Sequence, residues 1–123
     1  MDCGQLLYAV YGACGIIPED IESPKYNLQF MLNRKEEMYI AQLLKYSREI
    51  QESEALPGDV FSLHWGHCYS HSGILLEPWC GKVIHAMNGR GVVVNDALRD
   101  GRIQATIRKF RKFPPRFFRP LGW

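Results

Sequence analysis

Val60-Phe61-Ser62-Leu63-His64-Trp65, His71-Ser72-Gly73-Ile74-Leu75-Leu76, Lys82-Val83-Ile84-His85-Ala86-Met87 and Val92-Val93-Val94-Asn95 follow one another as short, apolar-rich runs. β-Branched and aromatic residues dominate them, which fits a pleated, half-buried surface. Gly66 and the clusters Pro78-Trp79-Cys80-Gly81 and Asn88-Gly89-Arg90-Gly91 punctuate them. Strands joined by connections this short pair as antiparallel hairpins, because a parallel pair needs a long crossover. This half of the chain therefore reads as an antiparallel sheet.

Upstream the period changes. Cys3, Leu7, Val10 and Cys14 fall at i, i+4, i+7 and i+11, one stripe of a helix over residues 3–14 that Gly15 stops. Asp2, with Gln5 three residues on, is an N-cap and its partner. Cys3 then sits at the first helical position, among unpaired N–H groups at the positive end of the helix dipole. Both features favour the thiolate, the nucleophilic form. Residues 18–32 show no period and read as a surface excursion around Pro24, Tyr26 and Asn27. A second helix is predicted from about Arg34 to Glu49, opened by Asn33 with Glu36 and burying Tyr39, Ile40, Leu43, Leu44 and Ser47. Helices first and strands afterwards make an α+β arrangement.

With 123 residues, 46% hydrophobic and 23% charged, residues 1–123 read as one globular domain large enough to bury a core. No apolar run approaches the ~20 residues of a membrane span. The N-terminus lacks the basic region of a signal peptide, and Gly12 and Gly15 interrupt its apolar helix. The four cysteines, Cys3, Cys14, Cys68 and Cys80, lack the spacing of a disulfide framework, so a reduced protein made in the cytoplasm is expected. A formal net charge of +2 is too small to argue for nucleic acid.

That charge is unevenly spread. Residues 99–119 carry Arg99, Arg102, Arg108, Lys109, Arg111, Lys112, Arg116 and Arg119 against one acid, Asp100. Residues 96–101 read as a helical turn and Thr106–Phe113 as a last strand, ended by Pro114 and Pro115, with the tail to Trp123 wrapping the surface. The basic segment reads as a solvated edge strand protected by its charge, with contact to an anionic polymer such as teichoic acid or DNA as the rival. Phe110, Phe113, Phe117, Phe118 and Trp123 would close the core or bind a tail partner.

Candidate chemistry lies on the second and third runs. His71, Gly73 and Leu75 share one face, as do Val83, His85 and Met87. If paired residues sum to 158, His85 stands opposite Gly73 and diagonal to His71, near enough for the rings to meet. If the loop is even, the histidines face opposite ways. A thiol at a helix start, a histidine opening a strand and a polar residue on the neighbouring strand form the nucleophile, base and orienter of thiol hydrolases. A rival reading uses zinc, since His64, His67, Cys68 and His71 are close in sequence to one another and to Cys80 and His85. Against it, His64 and His71 belong to strand patterns, and paired C-x-x-C elements are lacking.

Asp2-Cys3-Gly4-Gln5-Leu6-Leu7-Tyr8-Ala9-Val10-Tyr11, Pro57-Gly58-Asp59-Val60-Phe61, Ser70-His71-Ser72-Gly73-Ile74 and Val83-Ile84-His85-Ala86 are similar, in order and spacing, to the NlpC family of papain-like cysteine peptidases. The closest likeness is to members encoded with phage tails and prophages, and it covers residue 2 to about residue 97. The chain departs from the family at Gly4-Gln5, where Ser-Gly is usual. The resemblance implies a papain-like fold, with the Cys3 helix packed on an antiparallel sheet of about five strands. It implies Cys3 as nucleophile, His71 as general base and then acid, and His85 as orienter. Asp2, a helix cap on its own reading, would also help bind a substrate ammonium group, with Ser70 and Ser72 beside the site. The activity implied is hydrolysis of peptidoglycan stem peptides between D-glutamate and the diamino acid. It would be made without a signal peptide and carried by a phage tail or prophage system to the cell wall. No cofactor, metal, nucleic acid or membrane is expected. Two other readings keep the fold: a non-catalytic phage-tail structural protein, and an acyltransferase or lipid hydrolase using the same Cys–His site.

Overall fold

The structure, a computed structural model, describes residues 3–14, 38–66, 68–87 and 90–121. In chain order its elements are α1 (Cys3–Ala13), α2 (Met38–Tyr46), β1 (Ser47–Ile50), a 3-10 turn (Glu52–Glu54), β2 (Val60–Trp65), β3 (Cys68–Leu75), β4 (Lys82–Met87), β5 (Gly91–Asp96), α3 (Gly101–Lys109) and β6 (Arg116–Pro120). The strands form one antiparallel sheet of six in the order β1-β6-β2-β3-β4-β5. Mixed helix and antiparallel sheet is the α+β class expected, with six strands among the described residues where about five were anticipated.

The β2–β5 meander is the part the alternation predicts. β4 coincides with Lys82–Met87, and β3 begins earlier than expected, at Cys68. Between β2 and β3 the pairing runs out to Trp65 with Cys68, and Gly66 takes a φ of 74° that favours glycine. The register slips between Leu63 and His64, so Leu63 pairs with His71 but His64 with Tyr69. Ser70 is the extra residue, a β-bulge that re-aims the neighbouring side chains.

The expected second helix ends before its pattern does. Its capping pair, Asn33 and Glu36, lies outside the described residues, and it ends at Tyr46. The Ser47 hydroxyl donates to the Leu43 carbonyl at 2.6 Å, a back-bond that competes with helix continuation. Ser47–Ile50 then pairs with Pro120–Phe117 as β1. Tertiary pairing overrides the helical period there.

The C-terminal segment needs the largest correction. Thr106–Phe113 is not a strand. Residues 101–109 form α3, whose N-cap Asp100 accepts from the Ile103 N–H at 2.9 Å. Ile103, Ile107 and Phe110 turn inward at i, i+4 and i+7, while Arg102, Arg108 and Lys109 are exposed. Arg102, Arg108 and Lys109 therefore line a helix rather than an edge strand. Nor does the tail simply wrap the surface: Arg116–Pro120 is an interior strand between β1 and β2. The buried Asp59 carboxylate, which also accepts from the Leu56 N–H, ties that strand down through Arg119 at 2.9 Å. Phe117 and Phe118 are both fully buried, one on each side of the sheet.

Alternation divides the core into two layers. Val60, Ile74 and Phe118 pack with Leu7 and Tyr11 of α1 and Ile40 of α2. Phe61, Leu63, Leu75, Val83 and Phe117 pack on the opposite face with Ile103 and Ile107 of α3 and with Trp79. Among the described residues, no helix is long and apolar enough to cross a membrane.

Candidate functional site

Pairing between β3 and β4 decides whether the two histidines meet. Gly73 pairs with His85, Ile74 with Ile84 and Leu75 with Val83, the register whose sums are 158. His71 and His85 therefore share the face of Phe61, and their rings touch: His71 Nε2 lies 2.9 Å from His85 Nδ1. Gly73 makes room for this. A Cβ there would sit 2.5 Å from the Ile84 carbonyl oxygen, 2.6 Å from Phe61 Cε1 and 2.8 Å from His85 Cβ. Such distances exclude any side chain without movement of the strands.

The contact continues one residue further than the sequence suggests. His85, fully buried, places Nε2 2.8 Å from the Oδ1 of Asn95 on β5. An amide oxygen only accepts, so His85 Nε2 carries the hydrogen and Nδ1 a lone pair. His71 Nε2–H then donates to that lone pair, leaving His71 Nδ1 unprotonated. The chain Asn95–His85–His71 thus fixes both tautomers and presents His71 Nδ1 as a base. Asn95 was legible only as the one polar residue ending the Val92–Val94 run. Its role requires the β4–β5 register, in which Val83 pairs with Asn95 and His85 with Val93, setting Asn95 diagonal to His85.

Aromatic rings surround this relay. Phe61 lies edge-on to His71, with centroids 6.4 Å apart, and 6.2 Å from His85, and Trp79 stands 5.5 Å behind it. Burial, reinforced by the neighbouring His85, pushes the His71 pKa down to about 4. His71 is neutral at pH 7 and available to take a proton.

His71 also lines a pocket of about 410 Å³ between the sheet and α3, within the range of small-ligand sites. Leu63, Trp65, Met87 and Ile103 supply apolar walls, and Arg102 stands among them. Ser70 and Ser72 do not line it. Both are buried; Ser70 Oγ donates to the Trp65 carbonyl at 3.1 Å, and Ser72 pairs with Ser62 across the β2–β3 ladder. Both belong to the hairpin.

Cys3 is the first residue of α1; its side chain and all of Asp2 lie outside the described residues. α1 packs on β3 and β4, the strands that carry the two histidines. It does so from the other side, through Leu7 and Tyr11 against Val60 and Ile74, and the Tyr11 hydroxyl donates to the Gly58 carbonyl at 2.7 Å. The tight histidine contact and the helix thus occupy opposite faces of the sheet.

The described residues of the zinc reading are not grouped. His64 stacks on Phe113, with centroids 4.1 Å apart, and lies edge-on to Tyr69, whereas His71 engages His85; His67 is outside the described residues. Among the described residues, no three His, Cys, Asp or Glu side chains are grouped to hold a metal ion. Cys14, Cys68 and Cys80 form no disulfide among the described residues. Comparison of the chain with protein-family models, curated proteins and solved structures found no match in any of the three.

Proposed function

We propose that this chain is a thiol-dependent amide hydrolase of the papain-like, NlpC type, acting on peptidoglycan stem peptides at the D-glutamyl–diamino acid bond in a phage-tail or prophage setting. The observation that carries the reading is the Asn95–His85–His71 relay beside a pocket. A buried chain of two histidines and an amide is costly to assemble unless fully hydrogen-bonded. This one ends in a neutral imidazole whose free nitrogen has a defined position.

In this reading Cys3 gives its proton to His71 Nδ1. Thiolate formation and His71 protonation are then one coupled event, each charge stabilising the other. The imidazolium keeps its Nε2–H on His85 while Asn95 holds the His85 tautomer. The thiolate attacks the peptide carbonyl, and the Cys3 backbone N–H, unpaired at the helix start, is a natural donor to the oxyanion. The C–N bond breaks as His71 returns the proton to the leaving amine. Water, deprotonated by the same nitrogen, then hydrolyses the thioester and regenerates the thiol. Cleavage of purified muropeptides by the intact protein, lost in both Cys3→Ala and His71→Ala, is the expected result. No cleavage of any stem peptide by the folded wild type would end the reading.

One observation favours a second reading. The described part of α1 lies on the face away from His71, so catalysis needs the first turn of α1 to reach past the strand ends near Met87. If it does not, the relay is a polar core element of a non-catalytic tail component that keeps the fold. Unaltered tail assembly and infectivity in the Cys3→Ala variant, with no cleavage by the wild type, would establish that alternative. An acyl group trapped on Cys3 from a lipid or acyl donor would instead reassign the same site to acyl transfer.

A further inference from the structure

The pocket beside His71 has one feature that the relay does not use. Its lining residues are apolar except for His71, Thr106 and Arg102. Thr106 Oγ1 donates to the Arg102 carbonyl at 2.8 Å and is thereby committed to its own helix. Arg102 itself has no carboxylate within ion-pair distance among the described residues, where the two arginines that do are Arg116, with Glu49, and Arg119, with Asp59. Its nearest acid in sequence, Asp100, spends its Oδ1 on the Ile103 N–H as the cap of α3. Arg102 thus brings to the pocket lining, on the helix that faces His71, a permanent cation that forms no ion pair among the described residues. Trp65, 57% exposed on the same wall, offers an apolar surface that the core does not cover.

An arginine fork recognises a planar anion through two parallel N–H bonds, and a carboxylate is the anion of that shape in a peptide substrate. We infer that Arg102 is a specificity-determining residue that reads a free carboxylate on the substrate while its carbon skeleton lies on Leu63, Trp65, Met87 and Ile103. The inference rests on the peptidase reading for the identity of the ligand: in a γ-D-glutamyl peptide the group read is the α-carboxylate of the glutamyl residue whose γ-amide is cleaved. A substrate in which that carboxylate is amidated offers Arg102 an N–H where it needs an acceptor, and the pocket rejects it.

The test uses two probes, N-acetyl-L-alanyl-γ-D-glutamyl-L-lysine amide with its α-carboxylate free or amidated. Both are titrated by calorimetry into the intact Cys3→Ala protein, which binds without turning over. The acid is expected to bind at least tenfold more tightly than the amide. That preference should fall below twofold in Cys3→Ala/Arg102→Gln and recover in part in Cys3→Ala/Arg102→Lys. It should persist in Cys3→Ala/Lys109→Gln, which removes an exposed charge of the same helix outside the pocket. Circular dichroism checks that each variant is folded. Equal binding of the two probes, no saturable binding of either, or a preference that Arg102→Gln leaves intact overturns the inference. Cleavage by the wild type separates the two proposals. Cleavage without Arg102-dependent selectivity removes this one alone, and selective binding without cleavage removes the peptidase reading alone.

Discussion

The two faces of the sheet have similar aromatic and aliphatic content but very different chemistry. On the α1 and α2 side, Leu7, Tyr11, Ile40, Val60, Ile74 and Phe118 form an ordinary apolar layer, whose Tyr11 hydroxyl is satisfied by one backbone carbonyl. On the α3 side, Phe61, Leu63, Val83 and Phe117 pack equally well, yet His71, His85 and Asn95 run through the layer as a hydrogen-bonded chain. Strand periodicity makes the difference a matter of parity. A one-residue slip between β3 and β4 would send His85 to the α1 face and leave His71 without its partner. Gly73, opposite His85, is the residue that holds the two strands close enough for the relay to form.

Substitutions that separate the faces test this contrast. Phe61→Ala removes the ring that touches both histidines and should destabilise the protein by about 3–5 kcal/mol in urea denaturation, the largest effect expected here. Gly73→Ala forces a methyl group into backbone and ring contacts and should cost about 1–3 kcal/mol. It should also displace the His71 ring resonances, which a merely crowded core would not do. A Gly73→Ala protein as stable as the parent would mean that the strands are not so closely opposed.

pH sharpens the same comparison. In the Cys3→Ala protein no thiol shares the His71 proton, and burial holds the folded-state pKa at about 4, below the unfolded value near 6.5. Between those values the unfolded chain binds more protons, so stability rises with pH. The contribution is present above about pH 6.5 and is lost as the pH falls towards 4, on the order of 2 kcal/mol once partial exposure is allowed for. Urea midpoints that do not move across that window in Cys3→Ala, or a His71 titration near 6.5 by NMR, would remove the physical basis for a neutral base.

How much of this was readable beforehand depends on the type of signal. The β2–β5 meander and the body of α1 follow from strong periods, and the β3–β4 parity was a choice between two registers that only the observed pairing resolves. α3 was hidden because Thr106–Phe113, with Phe110 and Phe113 three apart, has no regular period of its own, while the helix rests on Ile103, Ile107 and an Asp100 cap that a local reading undervalues. β1 and β6 exist because they pair with each other across most of the chain, and no local pattern reports such a pairing. Asn95 was missed for the same reason: its partner stands on another strand. The His71–His85 pair, carried by two strong strands, was the most legible part of the candidate site.

The smallest expected effects separate the faces most cleanly. Asn95→Ala leaves the His85 Nε2–H unsatisfied and should cost about 1–2 kcal/mol, shifting the His71 titration as the relay loses its anchor. Tyr11→Phe on the opposite face removes one hydrogen bond, costs about 1 kcal/mol or less, and should leave that titration in place. If both variants move His71 equally, the two layers are not independent.

Whether Cys3 and His71 form one site is measured most directly by the alkylation of Cys3 with iodoacetamide as a function of pH. Mass spectrometry resolves it from Cys14, Cys68 and Cys80, in wild type and in His71→Ala. A shared proton predicts that Cys3 in the wild type reacts with an apparent pKa below the ordinary thiol value of about 8.5. Loss of the imidazole should move that midpoint upwards and slow the reaction at pH 7 at least tenfold. Superimposable pH profiles in the two proteins would place the thiol and the imidazole in separate environments, and the peptidase reading would fall with them.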